Sequence, residues 1–407
     1  MIETFDVVIV GAGPAGCACA YMLSGKGIRV ALVDKESFPR DKICGDALSA
    51  DVINQLYRMN TSLAKQFESF SEKQFSQGVR FYAPNQNHID IEYKGSAYSD
   101  VAGYVSKRVD FDHFFFNEVK DKEGIYVFQK EKVLDIIVDD VGVEIETGTQ
   151  KLKAKLIVGA DGVNSIVNKL LAKRKWEKDQ CAAGLRQYYE NVTGFHENNH
   201  IELHFYKDIL PGYFWIFPMA NNRANIGLGI FADSAQVKQI NIKEKLQEII
   251  KTHPKVKDRF KEATPLESIK GFRLPLGIKK NSISGNRYLL LGDAAALIDP
   301  FSGEGIGNAI RSGRLAAEHI VAAITQNKFD STFNKKYDKI IYQKMWNELR
   351  VGHSLQKLLK YPRLFNMVVN KARKNESFRL LLTSMLDNID LKKELLKPSF
   401  YVKLLFN

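Results

Sequence analysis

One glycine-rich turn at the N-terminus constrains this chain more than any other feature. Residues Phe5 to Val10 are an apolar and β-branched run broken only by Asp6, followed by Gly11-Ala12-Gly13-Pro14-Ala15-Gly16 and a small-residue segment to about Gly25. A second apolar run, Arg29 to Val33, ends on Asp34. Strand, tight turn, helix, strand and terminal acid, in that order, form the unit that binds a dinucleotide. Gly11 permits the tight turn, Gly13 lets the backbone approach a pyrophosphate, and Gly16 allows close helix packing. Pro14 and Ala15 open the helix, whose first N–H groups and dipole favour phosphate. Asp34 stands where ribose hydroxyls would be accepted, with Lys35 beside it.

The remaining chain must supply the rest of a much larger molecule. Its 407 residues leave room for two or three domains at roughly 150 residues each. No run of about 18 apolar residues occurs, and Met1-Ile2-Glu3-Thr4-Phe5-Asp6 offers neither a charged n-region nor a cleavage site, so neither a spanning helix nor secretion is expected. Cys17, Cys19, Cys44 and Cys181 lack CxxC spacing and fit neither a disulfide scaffold nor a zinc site, so a reducing, cytoplasmic setting and no metal are expected. The net charge is +12, and +7 of it lies from Val351 onward. A nearly balanced body with a basic tail argues against a nucleic-acid partner.

Two further glycine-rich segments lie downstream. They are Leu156-Ile157-Val158-Gly159-Ala160-Asp161-Gly162-Val163-Asn164-Ser165, and Leu291-Gly292-Asp293-Ala294-Ala295-Ala296 continuing through Pro300 to Gly303-Glu304-Gly305-Ile306-Gly307. With all three segments in order, the chain resembles the p-hydroxybenzoate hydroxylase-like flavoproteins, which include aromatic hydroxylases, halogenases and geranylgeranyl reductases. The resemblance implies FAD as the cofactor. Asp293, after Gly292 at a strand end, can accept from the flavin ribityl chain, while Gly305 and Ile306 would aim N–H groups and a helix dipole at the pyrimidine edge. Asp161 is expected to brace these loops among the cofactor-binding residues. Arg108, at a helix start, matches an arginine that lies near FAD in these families, and Val133 matches a backbone contact to adenine.

Two segments separate the branches of the group. Leu210-Pro211-Gly212-Tyr213-Phe214-Trp215-Ile216-Phe217-Pro218, followed by Gly227-Leu228-Gly229, resembles the YxWxFP…GxG signature of geranylgeranyl reductases. Tyr213, Trp215 and Phe217 alternate on a strand and face one side, so with Pro218 they are expected to line a channel for a long apolar chain. Met219 stands where the family often has Lys. The second segment, Pro39-Arg40-Asp41-Lys42-Ile43-Cys44-Gly45-Asp46, is similar to the reductases' KxCG loop near the flavin, which adds Cys44 and Gly45 to the cofactor-binding set. Cys44 is either tuned toward thiolate by Arg40 and Lys42 or packed against the isoalloxazine ring. Aromatic hydroxylases usually carry His where Ala296 stands, and halogenases favour WxWxIP over the aromatic strand.

The expected fold is an α/β Rossmann-like FAD-binding domain (1–75, 100–180 and 280–345), an inserted antiparallel-sheet substrate domain (76–99 and 181–279) and a basic helical C-terminal region (346–407). The expected reaction is hydride transfer from reduced flavin N5 to C=C bonds of an isoprenoid chain on a lipid, quinone or tetrapyrrole. Cys44, Asp46 and a bound water are the candidate acids. With no second glycine unit, NAD(P)H or a ferredoxin-like donor is expected to dock transiently. An FAD-dependent monooxygenase or halogenase, and a non-catalytic flavin-binding protein, are the competing readings. Apolar clusters at Leu355–Leu359, Leu364–Val369, Phe378–Leu386 and Tyr401–Phe406, interleaved with Lys and Arg, suit either a peripheral site on an anionic inner membrane face or helices packed on the cofactor domain with a solvated basic side.

Overall fold

A strand without polar alternation needs cover on both faces, and Val7 to Val10 receives it. The computed structural model describes residues 3–92, 98, 103–231, 240–387 and 396–400. In it strand β1 (Glu3–Val10) lies inside a sheet, parallel to β2 (Val30–Asp34) on one side and to Lys151–Gly159 on the other. Ile125–Gln129 beyond β2 and Tyr288–Leu290 beyond Lys151–Gly159 continue the parallel pairing. The antiparallel pair Val133–Val138 and Val143–Thr147 joins the first half of Lys151–Gly159. Helix α1 (Pro14–Leu23) packs against the helices Ile306–Gln326 and Arg108–Lys120, and all three share one buried core with this sheet.

The second sheet has the order Thr264–Pro265, Cys181–Glu190, Arg223–Phe231, Tyr213–Met219, Ile201–His204, Gly78–Tyr82, His88–Glu92, with Lys270–Pro275 also paired to Cys181–Glu190. These are the segments whose aromatic and polar residues alternate. The edge strand ends at Glu92, and Tyr93 lies outside the described residues. One pair departs from the antiparallel expectation: Ile201–His204 runs parallel to Gly78–Tyr82. The hairpin 78–92 comes from a distant stretch of chain, so no tight turn dictates its direction beside Ile201–His204.

Each face of this sheet has its own core. Phe214, Ile216 and Leu228 pack with the helix Ile242–Thr252 on one side, and Val79, Phe81, Leu203, Trp215 and Phe217 form the other side. The C-terminal helices cover the Trp215 side. Helix Ser331–Leu358 starts in the first core with Phe333, Tyr337 and Met345 and ends in the second with Val351 and Leu355, unbroken across residue 346. Helices Pro362–Lys374 and Glu376–Asp387 follow, adding Val369, Ala372 and Leu382.

The apolar clusters expected on a lipid surface or on the cofactor sheet are therefore used against the second sheet. Tyr361 and Leu381 stay exposed, and the cluster Tyr401–Phe406 lies outside the described residues. Among the described residues no helix is long and apolar enough to cross a membrane.

Val369 is fully buried between these helices and the sheet. A charge there has no partner, so Val369→Asp is expected to destabilise the C-terminal layer by about 3 kcal/mol or more. Limited proteolysis checks this: cleavage after about residue 350 is expected to accelerate while the first sheet stays protected.

Candidate active site

The three glycine segments, distant in sequence, pack against one another at one end of the first sheet. A Cβ on Gly11 would stand 2.4 Å from the Ala160 carbonyl oxygen, and one on Gly16 only 1.9 Å from that of Gly11. Gly11 also has φ +100°, so contact and backbone both demand glycine there. A Cβ on Gly292 would lie 3.4 Å from that of Ala15, which seats the third segment against the first. Gly13 precedes α1 and Pro14 opens it, with no side chain capping that end. The first turn thus keeps N–H groups that an anion can take.

Asp34 is buried at the end of β2, and backbone donors already reach both its oxygens. Oδ2 accepts from Ala12 N–H at 2.8 Å and Oδ1 from Glu36 N–H at 2.9 Å. The acid expected to take a ribose also ties the glycine turn to β2, and its spare lone pairs remain. Lys35 is exposed beside it. Glu131 N–H donates to the Asp34 carbonyl at 2.9 Å, bringing the nearby buried Val133 to the same end of the sheet.

Arg40 was legible only as a basic neighbour of Cys44, yet its Nη2 stands 3.3 Å from where a Cβ on Gly13 would be. It pairs with Asp112 at 2.8 Å, and Arg108 grips the same carboxylate at 2.7 and 2.8 Å. Burial opposes the Asp112 charge, but the two guanidiniums hold its carboxyl below the usual range. Two cations against one buried anion leave positive charge beside the glycine turn.

The loop after Arg40 is locked to the second sheet. Asp46 is fully buried with φ +68°. Tyr188 donates its hydroxyl to Asp46 Oδ2 at 2.6 Å, and Asn225 Nδ2 donates to the same oxygen at 2.8 Å and to the Cys44 carbonyl at 2.9 Å. The Arg108 N–H reaches Asp46 Oδ1 at 3.3 Å. Trp215 Nε1 donates to Asn225 Oδ1 at 2.9 Å. Arg186, buried with its guanidinium 3.9 Å from the Tyr188 ring, pairs with Asp41 and Glu267. Burial lifts the Asp46 carboxyl to about 6 against these donors. Burial also pushes the Cys44 thiol up, against the pull of Arg108, so Cys44 is a neutral thiol at neutral pH and not a thiolate.

At the far end of the crevice, Lys42 lies 3.8 Å from Asp293, and Asp293 lies 3.6 Å from a Cβ position on Gly305. Ile306 opens its helix with no side-chain cap from Gly305, and Glu304 Oε1 accepts from Gly307 N–H at 2.7 Å. Burial raises Glu304 to about 7, with Asp51 and Asp299 adding to the push. Asp161 accepts from Ile166 N–H at 2.6 Å and braces its own loop, and burial raises it to about 6.

The family described as an FAD binding domain matches residues 4–339. The chain belongs to this family. FAD is its cofactor, and the protein is an FAD-dependent oxidoreductase. It is similar to the menaquinone reductase of Mycobacterium tuberculosis H37Rv, 27% identical over 371 residues, 89% of this chain and 85% of the relative. It is similar also to the digeranylgeranylglycerophospholipid reductase of Thermoplasma volcanium, 27% identical over 348 residues, 84% of each chain. Among solved structures, a geranylgeranyl bacteriochlorophyll reductase-like protein of Thermoplasma acidophilum superposes with TM-score 0.79 over 91% of both chains at 24% identity. Flavin-dependent halogenases share the fold at lower identity.

The residues in the crevice fit FAD. A Cβ at Gly11 or Gly16 would collapse the turn where the pyrophosphate belongs, and Arg40 could hold its charge. Asp293 and the Gly305 and Ile306 N–H groups could hold the flavin end.

The aromatic strand meets this FAD crevice through Gly45, whose Cβ position is 3.0 Å from Phe217 Cε2 and 3.8 Å from Trp215 Cε2. Trp215 and Phe217 share the second-sheet core with Tyr213, whose hydroxyl donates to the Ser302 carbonyl at 2.6 Å. Pro218 does not join them, because strand alternation turns it to the other face with Phe214 and Ile216. Beyond the stripe lies an apolar cavity of about 100 Å³ lined by Phe81, Phe301, Leu355, Phe365, Val368 and Leu382.

Arg40, Tyr188, Arg186 and Asn225 were missed as site residues. Only Arg40 carried a signal, its place in the Pro39–Asp46 loop. The others sit inside strands with nothing to mark them.

Arg40→Ala is expected to weaken FAD retention at least tenfold, as loss of a charged hydrogen bond of about 1.5–3 kcal/mol requires. Flavin fluorescence on dilution measures it. Asp46 binds its proton more tightly folded than unfolded, since about 6 exceeds the ordinary carboxyl value, so its contribution to stability falls as pH rises through 4 to 6. Asn tolerates the positive φ and does not titrate. The stability of wild type relative to Asp46→Asn is therefore expected to drop by roughly 2 kcal/mol between pH 4 and 7, read from denaturant titrations.

Proposed function

We propose that this FAD-dependent oxidoreductase is a reductase that saturates C=C bonds in the isoprenoid chain of a lipid or quinone. The observation that carries the reading is the continuity of the flavin-side loop with an apolar cavity. Phe217 and Trp215 pack on Gly45, and their face of the sheet leads to the cavity, where Phe301 comes from the chain between Asp293 and Gly305. The names of the relatives support it, since menaquinones and digeranylgeranyl lipids both carry polyprenyl chains. In this reading 1–75, 100–180 and 280–345 form the FAD-binding unit and 76–99 and 181–279 the substrate unit, while the helix Ser331–Leu358 carries across the expected boundary at 346 into the basic C-terminal cover.

FAD, when bound and reduced by the electron donor, would supply the hydride, which carries the electron pair. The protein's part is to hold, orient and dry. Gly13 and Arg40 would hold the phosphates on the turn that Gly11 and Gly16 allow, Asp34 and Val133 the adenosine end, and Asp293, Gly305 and Ile306 the flavin end. Trp215, Phe217 and the cavity wall orient the chain and exclude water, which matters because an isolated alkene accepts hydride only as a proton arrives. Cys44 holds a proton on Sγ at neutral pH. Asp46 acts as a positioning residue: its oxygens, taken by Tyr188, Asn225 and the Arg108 N–H, fix the Cys44-Gly45 peptide against the aromatic strand. The electron donor, NAD(P)H or a ferredoxin-like protein, docks transiently. Arg363, Lys371 and Lys374 on the cavity-lining helix suit an anionic membrane face, and sedimentation with anionic but not neutral vesicles is the expected result.

Anaerobic protein reduced with dithionite and incubated with geranylgeranyl lipids and prenyl quinones is expected to add two hydrogens per double bond, read by mass spectrometry. No mass change across the panel, or a gain of oxygen or halogen, overturns the reading. Gly45→Val pushes into Phe217 and is expected to cut turnover about tenfold or more while FAD content holds.

A further inference from the structure

Strand His88–Glu92 forms the edge of the second sheet, and its alternation sends Ile89 and Ile91 to the cavity side and Asp90 and Glu92 to the opposite face. On that opposite face the chain between Glu190 and Ile201 lays His196 and His200 over Asp90. His200 is fully buried, and neither of its ring nitrogens has a hydrogen-bond partner. Nδ1 stands 3.9 Å from Asp90 Oδ1, and Nε2 stands 3.8 Å from Glu92 Oε1. His196 stacks on His200 with ring centroids 3.7 Å apart, and its Nε2 is 3.9 Å from Asp90 Oδ2. A buried imidazole with both nitrogens orphaned calls for an explanation, and an ion in the gap is one.

We propose that Asp90, His196 and His200 bind a divalent transition-metal ion of the zinc class. One ligand atom from each residue lies within 4.8 Å of the others, the one such group of three among the described residues. Two imidazoles and a carboxylate are a borderline donor set that suits zinc. Ligand atoms around a tetrahedral ion with bonds of about 2.0–2.2 Å stand roughly 3.4 Å apart, so on binding the 3.9 Å gaps from His200 Nδ1 to Asp90 Oδ1 and from His196 Nε2 to Asp90 Oδ2 close, the carboxylate turns one oxygen to the ion, and the stacked rings splay to aim both lone pairs at it.

The surroundings supply what such ligands need. Glu92 can accept from Nε2–H of His200, which leaves the Nδ1 lone pair facing Asp90. Arg80 donates to both Asp90 oxygens at 2.6 and 2.9 Å, orienting the carboxylate and leaving each oxygen a free lone pair. His196 ligates through Nε2. That requires the Asn198 N–H, which donates to His196 Nδ1 at 3.1 Å, to turn away. Water takes the fourth position. Cysteine spacing argued for no metal, but these ligands come from residues 90, 196 and 200 and meet only through the sheet register. The ion would clamp the edge strand to the loop beside it, and with it the cavity wall at Ile89.

Chelator-stripped, untagged FAD-loaded protein is titrated with zinc chloride by calorimetry beside Asp90→Asn and His196→Ala, with FAD content and far-UV circular dichroism recorded for each. One zinc per chain with micromolar or tighter affinity is expected, weakened at least tenfold in both variants, with Tm raised a few degrees by zinc in wild type alone. No saturable binding below about 100 μM, or binding equal in the variants, overturns the site. If Asp90→Asn loses the fold because Arg80 loses its partner, the weakening is read instead from His196→Gln, on the partly exposed histidine.

Discussion

The carboxylate of Asp46 is the point on which the two halves of the molecule meet. It leaves water entirely, and it does so by collecting Tyr188 and Asn225 from the second sheet and the Arg108 N–H from a helix on the first. A buried carboxylate is tolerated only where donors replace its hydration. The donors here come from elements far apart in the chain, so the acid can be satisfied only in the assembled fold. Asn225 passes the constraint on to Trp215, and Tyr188 passes it to Arg186 and from there to Asp41. A single anion thereby sets the position of the Cys44-Gly45 peptide relative to the aromatic strand.

The charge on the crevice side is arranged the other way round. Asp112 is shared by Arg40 and Arg108, leaving the cationic excess beside the glycine turn. A phosphate-bearing cofactor would complete that balance, and Arg40 is the arginine that stands against the glycine turn. Asp46 and Asp112 sit on either side of Arg108, so the arginine joins the phosphate end of the crevice to the loop that faces the substrate side. The two ends are linked through one residue, its backbone N–H on Asp46 and its guanidinium on Asp112.

Much of this was legible in the sequence because it rests on local rules. The glycine turn, the acid after β2 and the helix starting at Ile306 each follow from a backbone requirement that restricts residue type within a few positions. The alternating strands were equally readable, since half-burial imposes a period of two. What escaped has a common cause. Tyr188, Asn225 and Arg186 matter through partners more than a hundred residues away, the parallel pairing of Ile201–His204 with Gly78–Tyr82 reflects how a distant hairpin docks, and Pro218 was grouped by adjacency where alternation puts it on the other face. The C-terminal apolar clusters were visible as clusters, but which surface they cover depends on which sheet face lacks a layer.

Helix Ser331–Leu358 runs from one core into the other without a break, burying Met345 and Leu349 in the first and Val351 and Leu355 in the second. It works as a strut. Parting the two sheets to admit a long hydrophobic chain would have to bend this helix or pull out large buried side chains at one end. The turn at Leu359–Tyr361 ends this strut, and among the described residues the short helices beyond it pack on each other and on the edge strand His88–Glu92. The layer over the cavity is therefore divided between one long helix anchored in both cores and two short helices joined to it by a turn.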